Sequence, residues 1–363
     1  MKTVLLSTSS LWNSGDDYIR QGIMNLCNFK EEIRIIWWNR GYGISNSYAN
    51  DLSINLPLID YFIVAGTPEW VNKNIHIYKY CLKHNIPFSL IGVGTDSYVK
   101  ENMKLFKKLA SSQLCEYALA RDNYAYKAFK NIGFKNVDLS IDPAFYLNTI
   151  DTGDNKKYNI LGWRKQFWSN YADYNLPFFI KNKKALINYT KSKVNDFLKV
   201  NKKKRKLYNQ YLIDVFNSMS SPKIVTVHDN REIEEAENLF GKENVFYSSD
   251  PWQIYKLYSK ASFYVGSRIH GAIPALLHGA NIHLIYTSSK AQVVENSINI
   301  LSKHEKDLKE YLNLTYFNPY EQNKIPQNSQ EIDTNKLNRA IQKEMNQINS
   351  KLTRLEILSR MLK

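Results

Sequence analysis

The chain has little cysteine: three in 363 residues, Cys27, Cys81 and Cys115. Their wide, irregular spacing fits neither a disulfide framework nor a zinc site, so the thiols read as reduced. No window approaches the roughly 18 apolar residues of a membrane span. The amino-terminal "MKTVLLSTSS" holds only the short apolar run Val4 to Leu6 and no cleavage signature, so a secretory signal is not expected. No cluster of His, Cys and carboxylates has metal-ligand spacing, and neither metal nor cofactor is expected. Helix-turn-helix, zinc-finger and RNA-binding signatures are missing too, which argues against nucleic acid as a partner. Together these absences predict a cytoplasmic protein. With 44% hydrophobic residues the chain can bury a real core, and its length suits two domains.

Acidic residues are outnumbered. Lys and Arg total 49 against 34 Asp and Glu, a net charge of +15. Such an excess suits an anionic partner: nucleic acid, a lipid headgroup or a phosphorylated metabolite. Part of it is local, in "VNKKKRK", where Lys202, Lys203, Lys204, Arg205 and Lys206 run together. A solvated helix or loop face is the simpler reading of that run. The second is peripheral contact with an anionic membrane surface at the inner face, worth roughly 1 kcal/mol per basic residue.

Apolar runs alternate with amphipathic stretches over residues 1–150. "TVLLSTS", "IRIIWWN", "YFIVAG", "PFSLIGVG" and "YALARD" read as strands. "DDYIRQGIMNLCNF", "NKNIHIYKYCLKHN" and "ENMKLFKKLASSQ" have helical spacing. This alternation implies βαβ units and a mainly parallel sheet. The polar stretch "NTIDTGDNKKYN" (148–159) is the boundary candidate, and the alternation restarts over 158–315 with "NILGW", "PKIVTVH", "NVFYS" and "SFYVG" as strands. A basic, tyrosine-rich helical region fills about 170–218. In the tail, 331–363, apolar residues recur at Leu337, Ile341, Met345, Ile348, Leu352 and Leu355, with Thr334 or Asn335 as cap. This helix is expected to dock back across the domains rather than pair as a coiled coil. The expected fold is α/β, two Rossmann-like doubly wound domains facing a cleft at the carboxyl ends of their strands.

The chemistry concentrates in "SFYVGSRIHGAIPALLHGANIHLI". Gly266 ends a strand and Gly271 starts a helix, with Pro274 expected in the first turn. A helix amino terminus attracts anions. Arg268 adds a bidentate partner for phosphate or carboxylate, and His270 a proton donor or acceptor. Ser267 and Ile269 belong to the same turn and complete the binding set. His278 and His283 read as packing residues.

"VGSRIHGAIPALLHGANIHLIYTSSK" resembles the signature region of the polysaccharide pyruvyltransferase family: glycine, then Arg, an aliphatic residue and His, a small-residue helix, a strand and a lysine, matched by Lys290. "NSGDDYIRQGI" (13–23) is similar to that family's amino-terminal Asn-x-Gly-Asp element. "IVAGTPEW" and "IGVGTDSY" stand where the family has glycine-rich strand ends. "ARDNYAYKAFKNIGFKNVDLSIDPAF" resembles its Arg-acidic helix start and Asp-Pro turn. Thr67-Pro68 and Thr95-Asp96 depart from the family's glycines, which leaves the acceptor side open.

The resemblance implies the glycosyltransferase B fold and transfer of pyruvate from phosphoenolpyruvate to a sugar of a surface polysaccharide or its precursor. The product would be a cyclic ketal, with release of phosphate. Residues 1–150 would form the acceptor side and 158–315 the donor side. In "NSGDDY", Gly15, Asp16 and Asp17 follow a strand and open a helix. One carboxylate, Asp17 first, is a candidate base or hydroxyl anchor, although Asp there also suits an N-cap. Arg164 and Arg121 end strands and are candidate anion ligands, as is Lys290. Asp142-Pro143 reads as a turn. His270 is the candidate general acid. The acceptor stays open between lipid-linked, nucleotide-linked and polymeric sugars. The alternatives are a glycosyltransferase of the same fold using a nucleotide sugar, and a non-catalytic binder of nucleic acid or membrane.

Overall fold

The computed structural model describes residues 2–8, 13–39, 58–66, 70–71, 74–94, 99–150, 157–165, 191–286, 292–317, 332–355 and 360–361. Its first sheet contains β1 (Lys2–Thr8), β2 (Ile33–Asn39), β3 (Tyr61–Ala65), β4 (Phe88–Val93), β5 (Cys115–Ala120) and β6 (Val137–Leu139). Their order is β2-β1-β3-β4-β5-β6, with every pair parallel. The second sheet contains β7 (Tyr158–Gly162), β8 (Lys223–Thr226), β9 (Val245–Phe246), β10 (Ala261–Gly266), β11 (Asn281–Tyr286) and β12 (Leu312–Tyr316). Its order is β12-β11-β10-β7-β8-β9, again all parallel. Two doubly wound α/β sheets are therefore present, as the alternation of runs implies. Apolar runs such as β3 and β4 are buried along their whole length, because helices cover both faces of a parallel sheet.

The helices are α1 (Ser14–Cys27), α2 (Ile75–His84), α3 (Met103–Ser111), α4 (Asn123–Ile132), α5 (Lys191–Ser218), α6 (Ile233–Phe240), α7 (Pro251–Tyr258), α8 (Ile269–Leu277), α9 (Gln292–Leu301) and α10 (Thr334–Leu352). Side-chain caps set several starts: Asn13 accepts from Gly15 N–H, Asp122 from Ala125 N–H and Asp250 from Trp252 N–H. The cap of α10 is Asp333, which accepts from Lys336 N–H, rather than Thr334 or Asn335. α8 begins at Ile269, so Gly271 lies within it and Pro274 is an interior residue, not a first-turn one. No helix among the described residues is long and apolar enough to cross a membrane.

One core cluster runs through both halves, joining Val4, Ile19 and Phe145 to Ile160, Leu276 and Ile341. Two smaller clusters lie inside the individual sheets' layers. The junction is built on the 3₁₀ turn Pro143–Tyr146, which packs on α1 and α8. Gly22 makes the approach possible: a Cβ there would lie 1.8 Å from the Pro143 carbonyl oxygen. Tyr18 of α1 reaches across to donate to Pro251 O at 2.9 Å. The tail helix α10 docks on this junction. It buries Leu337, Ala340, Ile341, Ile348 and Leu352, and its Glu344 accepts from Ser140 Oγ and pairs with His304 at 2.8 Å.

Candidate active site

In the second sheet β7 and β10 are neighbours, but the chain winds away from them in opposite directions, to β8-β9 and to β11-β12. A crevice must open where the winding reverses, beyond the carboxyl ends of these two strands. Gly162 and Gly266 are the paired last residues of the two strands. A Cβ on Gly266 would come 2.3 Å from Gly162 O, and one on Gly162 1.8 Å from the Tyr264 hydroxyl. The two glycines thus let the strand ends close up and admit Tyr264, whose hydroxyl donates to Arg268 O at 2.8 Å. Two residues beyond each glycine stand Arg164 and Arg268.

Arg268 is held from two sides. Its Nε donates to Trp163 O at 2.8 Å and its Nη2 pairs with Glu232, both side chains being largely buried. Glu232 also accepts from Lys165 N–H at 3.2 Å. Burial and the neighbouring Arg268 both act to lower the Arg164 pKa, while Glu232 opposes them. His228, just past β8, is buried and shares a 2.6 Å hydrogen bond with Tyr258 Oη. Its pKa is pushed well below the usual value by burial and by the nearby Arg268, His270 and Arg164. Ser267 Oγ accepts from Tyr208 Oη at 3.0 Å. The result is a concentration of positive charge with one buried carboxylate beside it.

His270, in the first turn of α8, leans across to the first sheet. A Cβ on Gly15 would lie 2.6 Å from His270 Nδ1 and 2.7 Å from its Cβ, so the ring lies directly on that glycine. Gly15 itself follows β1, beside the point where the first sheet reverses its winding between β1 and β3. The two crevices therefore face each other at His270. Its Nε2 is buried without a hydrogen-bond partner and stands 3.6 Å from Asp142 Oδ2. Asp142 is fully buried. It pairs with Arg121 at 2.8 Å, accepts from Ala144 N–H, and its own N–H donates to Ser297 Oγ. Burial acts to raise the Asp142 carboxyl, but Arg121 and His270 outweigh it and hold the pKa at about 2.

A family model for polysaccharide pyruvyl transferase matches residues 13–289, from the cap of α1 to beyond β11. The chain belongs to the polysaccharide pyruvyl transferase family. Among solved structures it is similar to the Methanocaldococcus jannaschii UDP-GlcNAc 2-epimerase in complex with UDP-GlcNAc and UDP, at 10% identity over 95% of this chain and 93% of that one, TM-score 0.49. Similar too are Anabaena HepE in complex with UDP (11%, 99% and 97%, TM-score 0.43) and the S. aureus MnaA–UDP complex (12%, 81% and 82%, TM-score 0.47). At these identities and TM-scores nothing about this chain's ligand follows from theirs. No curated protein matches the chain by sequence.

For this pyruvyl transferase family member, the structure brings Arg268, Arg164, Ser267 and His270 together, as the sequence suggests. Other expectations are corrected. Arg121 is no cleft ligand: it is buried as the counter-ion of Asp142. Asp142 is more than a turn residue, since it joins Arg121 to His270. Gly15 is covered by the imidazole and serves to seat it. Ile269 turns its side chain into the core, leaving its backbone N–H as the group able to meet a ligand. Asp17 pairs with Arg20 at 3.2 Å. At about 100° per residue it falls on the far side of α1 from Gly15, so it is not placed beside His270. Its pKa is raised by burial, against the pull of Arg20. Asp16 is partly exposed in the same first turn. Lys290, Thr67-Pro68, Thr95-Asp96 and residues 166–190 lie outside the described residues. His278 closes α8, bonding Pro274 O and accepting from Ile150 N–H, and His283 bonds Thr315 Oγ1.

Sequence reasoning passed over His228 and Glu232. The signal for His228 was present in "IVTVHDN", a polar residue at the carboxyl end of a strand, the same cue that picks out Arg164. Glu232 gave no signal, being one carboxylate in the acidic run "REIEEAE". Of the basic run, Lys203 and Lys206 are exposed on α5. A cavity of about 530 Å³ lies between the end of α1, residues 145–149 and α10. It has no charged lining residue and does not suit an anion.

Proposed function

We propose that the protein transfers the pyruvyl group of phosphoenolpyruvate to two hydroxyls of a sugar in a surface polysaccharide or its precursor, forming a ketal and releasing phosphate. Membership of the family supports a transferase acting on a polysaccharide. The observation that carries the donor is the meeting of Arg164, Arg268 and His270 where the two crevices face. A small, dense anion suits such a site: arginines clamp phosphate and carboxylate, and the α8 amino terminus adds its first N–H groups.

In this reading His270 delivers a proton to the methylene carbon while the first sugar hydroxyl attacks the adjacent carbon. The C–O bond to phosphate then breaks with its electron pair. The second hydroxyl closes the ring at the same carbon, and the two hydroxyl protons replace the one given to carbon and the one carried off by phosphate. The Asp142–Arg121 pair keeps a fixed carboxylate beside His270 Nε2. No metal enters this scheme.

The test is phosphate release from phosphoenolpyruvate against a panel of lipid-linked and nucleotide-linked sugars. Wild type is expected to turn over with at least one acceptor, and Arg268→Ala to lose turnover while keeping its far-UV CD spectrum. Glycosyl transfer from a nucleotide sugar, with no use of phosphoenolpyruvate, would replace this reading by the glycosyltransferase one.

A further inference from the structure

Glu232 sits where an incoming anion would have to sit. A guanidinium grips an oxyanion best along one edge, with two parallel N–H groups. The Nε–Nη2 edge of Arg268 is already taken, by Trp163 O and by the Glu232 carboxylate. Two arginines meet here with the Glu232 carboxylate paired to Arg268; Arg164 lies within electrostatic reach of Arg268, Glu232 and the more distant Asp229, whose own carboxylate is held by Arg231. Unliganded, the Glu232 carboxylate offsets the mutual repulsion of Arg164 and Arg268. Once a multiply charged donor arrives, the same carboxylate repels it at short range, where partial burial leaves the interaction little screened.

Glu232 is also lightly held. It ends the 3₁₀ turn Asn230–Glu232 just before α6, and besides pairing with Arg268 its side chain accepts the 3.2 Å bond from Lys165 N–H. The neighbouring Lys165 Nζ is engaged elsewhere, with Glu235 at 2.7 Å. Displacing Glu232 from Arg268 therefore breaks one ion pair, loosens the Lys165 N–H bond and the attraction to Arg164, and bends one turn.

We infer that Glu232 is a tethered competitor for the donor anion: it neutralises Arg268 in the empty site, yields it to the donor, and reclaims it as phosphate leaves. This rests on Arg268 being the receptor for the donor anion. The consequence is kinetic. Product phosphate resembles part of the donor and would otherwise linger on the same arginines; a carboxylate already in place shortens its stay.

The experiment is calorimetric titration of inorganic phosphate into wild type and Glu232→Gln. The amide keeps the size of the side chain and an acceptor for Lys165 N–H, but removes the charge. Phosphate is expected to bind Glu232→Gln about tenfold more tightly or better, the scale of one nearby charge in a partly buried site. Phosphate should also inhibit turnover at correspondingly lower concentration. Glu243→Gln removes the same charge beyond the far end of α6 and is expected to shift the affinity less than twofold. In an Arg268→Ala background the Glu232→Gln gain should vanish. Unchanged or weaker phosphate binding in a folded Glu232→Gln protein, checked by CD and thermal melt, overturns the inference and makes Glu232 a positioning residue for Arg268. If the glutamine variant does not fold, Glu232→Ala is measured in the same way. Should wild type bind UDP but neither phosphate nor phosphoenolpyruvate, the donor reading falls. The comparison is then made with UDP, and only a failure to tighten there rejects the competitor role.

Discussion

His270 lies between a glycine and a carboxylate that both come from the first half of the chain, and its neighbours set how it can work. Removing the imidazole, His270→Ala, is expected to lower turnover by about 10²–10⁴, the reach of acid–base catalysis; stopped assays of phosphate release read this, and a loss under threefold would remove His270 from that role. Gly15→Ala would press a methyl group onto the ring and onto its Cβ, which has no rotamer to escape to. A loss of turnover of at least about tenfold is expected there too, with the melting temperature as the control for folding. Asp142→Asn tests the carboxylate. It leaves the Arg121 guanidinium buried without its counter-ion, a cost of about 3–5 kcal/mol. Adding Arg121→Met should restore much of the stability without restoring turnover, because His270 still lacks its anionic neighbour. Denaturant titration and the rate assay separate the two effects. The Asp142 carboxyl is held at about 2, below its unfolded value, so its contribution is present above pH 4 and is lost as pH falls toward 2.

Between elements, much of the fold was legible because each buried strand writes itself as an apolar run and each helix as a 3.6-residue period. β1, β3, β4, β5 and α1 fall on the stretches where those patterns are strongest. The edge strands β6 and β12 were not, since three and five residues of mixed polarity leave little pattern. In the site, Arg268 and His270 were legible because two titratable residues between glycines are a poor way merely to turn a chain. Asp142 and Glu232 were not, because they act through Arg121 and Arg268, 21 and 36 residues away, and single-sequence spacing carries no such distance. The α1 contact with the 3₁₀ turn is another long-range feature. Gly22→Ala would drive a methyl into the Pro143 backbone, and neither backbone has a rotamer to move; destabilisation of roughly 1–3 kcal/mol or more is expected by thermal melt.

Across the whole molecule, the two sheets share one core and the tail helix seals it. Truncation before Asp333 would expose the partners of Leu337, Ile341, Ile348 and Leu352, each worth roughly 1.5–3 kcal/mol. That sum reaches the size of a domain's whole stability, so the truncated chain is expected to aggregate or melt below physiological temperature. Acid sensitivity is also global. Burial holds His283 at about 4 and, with nearby positive charge, His228 well below its usual value, so both resist protonation in the fold while the unfolded chain takes up protons below about pH 6.5. Stability should fall as pH drops from 6.5 toward 4. His283 accounts for roughly 3 kcal/mol of that fall, which His283→Gln should flatten in pH-dependent melts.

The most direct measurement of all is titration of phosphoenolpyruvate into wild type, Arg164→Ala and Arg268→Ala by calorimetry. One site per chain in wild type, weakened about a hundredfold or lost in each arginine variant, is the expected result for two charge-assisted contacts. Equal affinity in all three proteins would contradict a donor site at the facing strand ends.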